Sequence, residues 1–224
     1  MNSADSSFES DSPITVLIVD DDHWTTRALA SVLAVAPGIR VVGAVHDGEG
    51  AVAAYRAEPA HVVLMDVNLG SGMTGVDATA AILQGDPEAR VVILTTTAPG
   101  PGLARALHAG AVAALQKEAS EATLVETVRM AAAGDSPLLV KGLAADLLAS
   151  GGVRASAPVP ALTPSEHRIL RLLCAGRSYG EIIEQLHISE NTLETHTRHL
   201  REKLGAKNLA QLVVRALEFR FVSF

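Results

Sequence analysis

Cysteine is almost missing from the 224-residue chain. The single one, Cys174, rules out an internal disulfide framework and a Cys-rich zinc site, and it fits a reducing compartment. Long apolar runs are missing too. The longest uninterrupted stretches, such as Val32 to Ala36 and Ala111 to Leu115, fall far short of the roughly 20 residues that span a bilayer. No repeat at a fixed period and no low-complexity tract is present. The first dozen residues are polar and acidic, unlike a signal peptide. A cytoplasmic protein without a membrane partner is expected.

Positive charge is scarce. Lys and Arg number 18 against 25 Asp and Glu, a net charge of −7, which taken whole argues against nucleic acid. The sum hides an asymmetry: after residue 160 nine basic residues face seven acidic ones, and before it nine face eighteen. Only the C-terminal part could approach a polyanion without strong repulsion.

The remaining composition, 48% hydrophobic and 19% charged, is that of a folding chain, and its length suits two unequal domains. Gly151, Gly152, Ser156, Pro158 and Pro160 punctuate the segment from Ser150 to Pro160, which reads as a flexible connector. The expected division is a disordered tail over 1–13, a first domain over 14–134, a linker over 135–160 with a helix near 138–149, and a second domain over 161–224.

In the first domain, Val16 to Val19, Val41 to Val45, Val62 to Met65, Val91 to Leu94 and Ala111 to Leu115 are short apolar runs that read as strands. Segments with helical spacing lie between and after them, such as Leu29, Val32, Leu33 and Ala36, or Leu124, Val125, Val128 and Ala131. Five such units predict a doubly wound α/β fold, a parallel sheet covered on both faces. Ligands in such sheets bind at the C-terminal strand ends. Those ends carry Asp20, Asp21 and Asp22 after strand 1, Asp66 after strand 3, Thr95 after strand 4 and Lys117 after strand 5.

Carboxylates gathered on one rim repel each other, and a hard divalent cation with oxygen ligands, Mg²⁺ above all, relieves that repulsion. A carboxylate flanked by a metal and an ammonium can attack a phosphoryl group, because both cations neutralise charge on the transferring oxygens. Asp66 is the natural nucleophile. Taken singly, the same residues could end a strand, cap a helix or sit solvated on the surface.

These stretches, VLIVDDD at Val16 to Asp22, VVLMDVN at Val62 to Asn68, VVILTT at Val91 to Thr96 and Lys117, resemble the receiver domain of two-component response regulators. The resemblance covers about 120 residues from Ile14 to Gly134 and implies a (βα)5 fold. It further implies that Asp66 accepts phosphate from a sensor histidine kinase and that Asp20, Asp21, Asp66 and the backbone carbonyl of Asn68 arrange Mg²⁺. Thr95 and Lys117 would hold the phosphoryl oxygens. Two positions depart from the family pattern. Members usually carry an aromatic ring three residues before the lysine, where this chain has Ala114, and a proline where it has Gly70. Pro99-Gly100-Pro101-Gly102 at the start of the fourth helix alternates stiff and free backbone.

The second domain opens with Thr163-Pro164-Ser165-Glu166, an N-cap followed by Pro at N1 and Glu at N3, and Ser178 to Glu181 repeats the box. His187-Ile188-Ser189 then makes a turn, and Ser189 caps a helix running from Glu190 to about Leu204. Two helices joined by a three-residue turn form a helix-turn-helix. On the second helix Leu193, Thr197, Leu200 and Leu204 make the core stripe, leaving Asn191, Glu194, Thr195, Arg198 and Arg201 on the other side.

LTPSEHRILRLLCAGRSYGEII followed by ISENTLETHTRHLREKLGA closely resembles the LuxR-type DNA-binding domain, and the pair of domains is similar to the NarL/FixJ layout. The resemblance implies a small all-α domain whose Glu194, Thr195 and Arg198 meet DNA, with Asn191 and Arg201 nearby, and whose last helix near Leu209 to Leu217 forms a homodimer in the active state. Lysine is common in the family where this chain has Glu194. A glutamate can accept from cytosine N4 or pair with Arg198 at i+4, and the helix carries three acids against three bases apart from histidine. Low non-specific affinity follows, with binding dependent on dimerisation or on histidine protonation.

The function expected is a phosphorylated response-regulator transcription factor, not an enzyme. One alternative is a regulator of the same layout controlled by protein contacts or a ligand. Another, a Mg²⁺-dependent aspartyl phosphatase, requires a second acid two residues after its nucleophile, where Asn68 stands. Cys174 and a partly buried Trp24 read as packing residues, and Phe219, Phe221 and Phe224 as a cover for either the dimer face or the first domain.

Overall fold

The computed structural model describes residues 12–95, 101–134, 136–141, 143–144, 147 and 159–222. Most of the expected tail, positions 142, 145, 146, 148 and 149 of the expected helix near 138–149, and most of the Gly/Pro connector lie outside these residues, as do Pro99, Gly100 and Phe224.

Strands β1 (Ile14–Val19), β2 (Ile39–Val45), β3 (Val62–Asp66), β4 (Val91–Thr95) and β5 (Ala113–Gln116) pair in parallel in the order β2-β1-β3-β4-β5. Helices α1 (His23–Ala34), α2 (Gly48–Ala57), α3 (Gly75–Gly85), α4 (Pro101–Ala109) and α5 (Glu121–Ala133) alternate with them. The strands read as unbroken apolar runs because successive side chains enter opposite buried faces. Leu17, Val19, Val63, Met65, Val91 and Ile93 pack with α2, α3 and α4. Val16, Ile18, Val62, Leu64, Val92 and Leu94 pack with Leu33 of α1 and Leu124 and Val128 of α5. Each fully buried branched side chain contributes about 1.5–3 kcal/mol, so two such layers suffice to fix the sheet.

Strand order reverses between β1 and β3, which puts the crevice of the doubly wound sheet between their C-terminal ends. Three strand starts differ from the sequence reading, β1 beginning at Ile14, two residues before Val16. β2 starts at Ile39, two residues earlier, and β5 at Ala113, two residues later, because Gly110 at φ +123° makes a turn that leaves Ala111 and Val112 as a lead-in.

A 3-10 turn, Pro137–Val140, leads toward the second unit, which comprises α6 (Pro164–Cys174), α7 (Tyr179–Leu186), α8 (Glu190–Leu204) and α9 (Leu209–Glu218). Both expected capping boxes form, at Thr163 with Glu166 and at Ser178 with Glu181. Ser189 caps α8 by accepting from the Thr192 N–H, and His187 takes the left-handed conformation that ends α7. Leu193, Thr197, Leu200 and Leu204 are all buried.

The core does not stop at the domain boundary. One apolar cluster runs from the β1/β3 face through Leu103 and Leu107 of α4 into Leu209, Leu212, Val213 and Ala216 of α9 and on to Ile169 and Leu173 of α6. Cys174 belongs to it at 3% exposure, and burial pushes its thiol up to about 12. Phe221 packs edge-on against His167 of α6, 6.1 Å between ring centres, and so finishes its own domain. Trp24 is not a packing residue: it is 75% exposed, with the Arg27 guanidinium 5.3 Å from its ring centre. Asp22 caps α1 by accepting from the Trp24 N–H, which fixes the indole in the outward first turn.

Candidate functional site

Four strand ends meet around Lys117, and the carboxylates of two of them reach its ammonium. Lys117 follows β5, and its backbone N–H donates to the Thr95 carbonyl at 2.7 Å, tying the ends of β4 and β5 together. Its Nζ lies 2.7 Å from Oδ2 of Asp20 and 2.9 Å from Oδ2 of Asp66. Asp20 is fully buried and Asp66 is 5% exposed. The backbone holds both: the Asp20 N–H donates to the Val45 carbonyl, its Oδ1 accepts from the Asp22 N–H at 3.0 Å, and Asp66 is the last residue of β3.

Burial raises the Asp66 carboxyl above its ordinary range, while Lys117 and the Asn68 N–H pull partly the other way. Burial alone would lower the Lys117 ammonium, but its hydrogen bonds to Asp20 and Asp66 outweigh that and raise it. The lysine is therefore a fixed cation between two carboxylates.

Asp21 completes the cluster from the exposed side. Oxygen atoms of Asp20, Asp21 and Asp66 all lie within 4.8 Å of one another. Asp22 does not join them. Its carboxylate serves the helix, taking the Trp24 N–H and the Thr25 hydroxyl, and these bonds hold it below the ordinary range. Of three consecutive aspartates, then, two face the crevice and one caps a helix. His46 Nδ1 lies in hydrogen-bond contact with the Asp20 carbonyl at 2.9 Å, and the His23 ring lies against the His46 ring, tilted by 48° with 3.7 Å between centres. Gly70 sits at φ +49° beside Asp21, a conformation that proline, fixed near −65°, does not take.

In the second unit, Asn191, Glu194 and Arg198 are exposed along α8 and Thr195 is half-buried. Among the described residues Glu194 and Arg198 form no ion pair. Arg201 lies apart from these four, lining a cavity against the first domain. α9 faces inward: the Asn208 amide donates to the Gly110 carbonyl at 2.8 Å, and Gln211 Nε2 donates to the His108 carbonyl at 2.9 Å. Oε1 of the buried Glu218 lies 2.8 Å from His108 Nε2, while its Oε2 accepts from Arg215. Sequence reasoning missed these contacts. A signal existed in Gln211, a polar residue in the otherwise apolar run LAQLVV, but a helix expected to pair with another copy did not suggest a partner inside the chain.

Residues 16–129 match the response regulator receiver domain family, and residues 160–216 match the bacterial regulatory proteins of the luxR family. The chain belongs to the response regulators. It is 32% identical to the transcriptional regulatory protein LiaR of Bacillus subtilis (strain 168) over 206 residues, covering 91% of this chain and 96% of that protein. To the nitrate/nitrite response regulator protein NarL of Escherichia coli (strain K12) it is 28% identical over 205 residues, covering 90% and 94%. A LuxR-family two-component response regulator from Aurantimonas sp. SI85-9A1 has a crystal structure that superposes with a TM-score of 0.51 at 30% identity, over 55% of this chain and 86% of that one. The receiver domain of NarL from Mycobacterium tuberculosis gives 0.52 at 25% identity, over 55% and 98%.

This response regulator is thus a transcription regulator of the NarL type, a (βα)5 receiver joined to a LuxR-type DNA-binding domain. Its family consists of transcription factors, which are generally not enzymes. Among the described residues no helix is long and apolar enough to cross a membrane.

Proposed function

We propose that Asp66 is the phosphoacceptor of this regulator and that a sensor histidine kinase supplies the phosphoryl group. The supporting observation is Lys117 Nζ held between Asp20 and Asp66. A free Asp66 oxygen attacks phosphorus, the P–N bond of the donor phosphohistidine breaks, and the leaving imidazole takes up a proton. Lys117 and the Thr95 hydroxyl then hold the new phosphoryl oxygens, replacing the contact that Asp66 loses.

The all-oxygen donor set suits a hard cation, and three carboxylate oxygens this close fit Mg²⁺ held by Asp20, Asp21, Asp66 and the Asn68 carbonyl. Bound there, Mg²⁺ would offset carboxylate repulsion and developing phosphoryl charge. The domain division proposed is 14–134 for the receiver, 135–160 for the linker and 161–224 for the DNA-binding domain.

Asn191, Glu194, Thr195 and Arg198 of α8 face DNA, with Arg201 reached once the domains separate. Phosphorylation would act by releasing α9 from α4, freeing it to form a homodimer that reads two half-sites. One departure favours a second reading, control without phosphate: Ala114, on β5, supplies no ring to follow the phosphorylated strand ends. Acetyl phosphate with Mg²⁺, followed by intact mass and DNA binding of wild type and Asp66→Asn, tests both. Uptake by wild type alone with stronger DNA binding supports phospho-control; uptake without any change in DNA binding supports the second reading; no uptake refutes Asp66 as acceptor.

A further inference from the structure

The loop that joins β3 to α3 carries the Asn68 carbonyl at the rim of the crevice. It closes on itself where the Gly75 N–H donates to the Val67 carbonyl at 3.1 Å. There it lies so near the strand end that a Cβ on Gly75 would come 1.7 Å from the Asp66 carbonyl oxygen. Displacing the loop therefore displaces the Asp66 backbone. The tip of the loop has little stiffness of its own, because Gly70 and Gly72 take φ +49° and +97° and Ser71 between them is exposed. Glycine gives up more backbone freedom on ordering than any other residue, so a tip of this composition gains its order from a contact outside it. α2 supplies that contact. Oε1 of Glu49, in the first turn of α2, accepts from the Met73 N–H at 3.0 Å. Gly48 beside it lets the two backbones meet, since a Cβ there would lie 2.5 Å from the Met73 carbonyl oxygen.

Building on the reading of Asp66 as phosphoacceptor, we propose that Glu49 is a positioning residue for the chemistry there. By holding Met73 it fixes the loop, and with it the Asn68 carbonyl, where Mg²⁺ and the phosphoryl group are received. Glu49 acts through the loop backbone, and two properties of its side chain can be separated. Its length spans the gap from α2 to the loop tip, and its oxygen accepts the bond. Its charge is not required, because an amide oxygen accepts the same N–H. Glu49→Gln keeps length and acceptor. Glu49→Asp keeps the negative charge at the helix start but is one methylene short, and Glu49→Ala keeps neither. Glu49 is exposed, so none of the three opens a gap in the core.

The test compares the three variants with wild type, each as the full-length chain. Amide hydrogen exchange without Mg²⁺ reads the order of the loop, calorimetry with magnesium chloride reads cation affinity, and intact mass after acetyl phosphate with Mg²⁺ reads the rate of phosphorylation. Glu49→Ala and Glu49→Asp should exchange faster at 70–75 and take up phosphate more slowly. Both should bind Mg²⁺ about tenfold more weakly, the scale of one hydrogen bond to a charged group, while Glu49→Gln stays within about twofold of wild type. Rescue by glutamine and not by aspartate supports positioning through the bond to Met73. Glutamine as impaired as alanine would make charge the active property and overturn the proposal, and so would equal loop exchange and equal Mg²⁺ affinity in all four proteins. Should no protein take up phosphate, Asp66 fails as acceptor, while loop exchange and Mg²⁺ affinity still decide the role of Glu49.

Discussion

Gln211 and His108 bridge the two domains through a hydrogen bond of 2.9 Å, in which a side-chain amide on α9 reaches the main-chain carbonyl at the end of α4. The same Gln211 accepts from the Lys207 N–H through Oε1, at 2.7 Å. One buried side chain thus satisfies two backbone groups, one in each domain. Gln211→Ala leaves both without that partner and should weaken docking by about 1–3 kcal/mol. Small-angle scattering should show a larger radius of gyration, and limited proteolysis should cut the linker faster. Unchanged scattering and cleavage would mean that this bond does not hold the closed form.

Removing Lys117 exposes how much it restrains. Lys117→Met leaves two buried carboxylates facing each other without their cation, a change on the scale of about 3–5 kcal/mol. Urea unfolding measures it. Adding Asp66→Asn to the same chain removes the repulsion between the two carboxylates and should return part of the loss, so the two substitutions are non-additive. Strict additivity would show that the three groups do not interact.

The DNA-binding domain has its own acid-sensitive contact. Glu166 caps α6 and accepts from Lys203 Nζ at 2.8 Å. Burial would raise its carboxyl, but the Lys203 bond and the Thr163 donors outweigh it and hold it below the ordinary range near 4.3. An acid depressed in the folded state stabilises fully above its unfolded pKa and loses that contribution as pH falls through the folded value. Glu166→Gln should therefore flatten the fall in thermal midpoint below about pH 4.5. Parallel pH profiles for the two proteins would contradict the shift.

Glu194 places an anion on the exposed side of α8. Glu194→Lys should strengthen binding to arbitrary duplex DNA and steepen the dependence of log K on log salt by about 0.9, one added phosphate contact. Fluorescence anisotropy across a salt series reads the slope. An unchanged slope would place residue 194 away from the backbone.

Much of the receiver was legible because its signals are local and strong. Apolar runs bounded by turns marked five strands, and the residues after them had to share one rim once the strands were parallel. The roles within DDD were not legible, since a strand end and a helix cap both ask for aspartate, and only the start of α1 at His23 decides that Asp22 is the cap. Trp24 misled because a lone tryptophan usually packs, whereas here the cap turns it outward. The docking of α9 on α4 was invisible for a different reason. An apolar helix face states that it will be covered and not by what.

The apolar interior that crosses from α4 into α9 also limits how this regulator can be rebuilt from parts. Grafting a relative's sensor half onto this chain's reader half would set foreign side chains against Leu212, Val213 and Ala216, leaving gaps or clashes at the seam. The two halves are therefore matched pieces, and a working chimera would have to carry α4 along with α9.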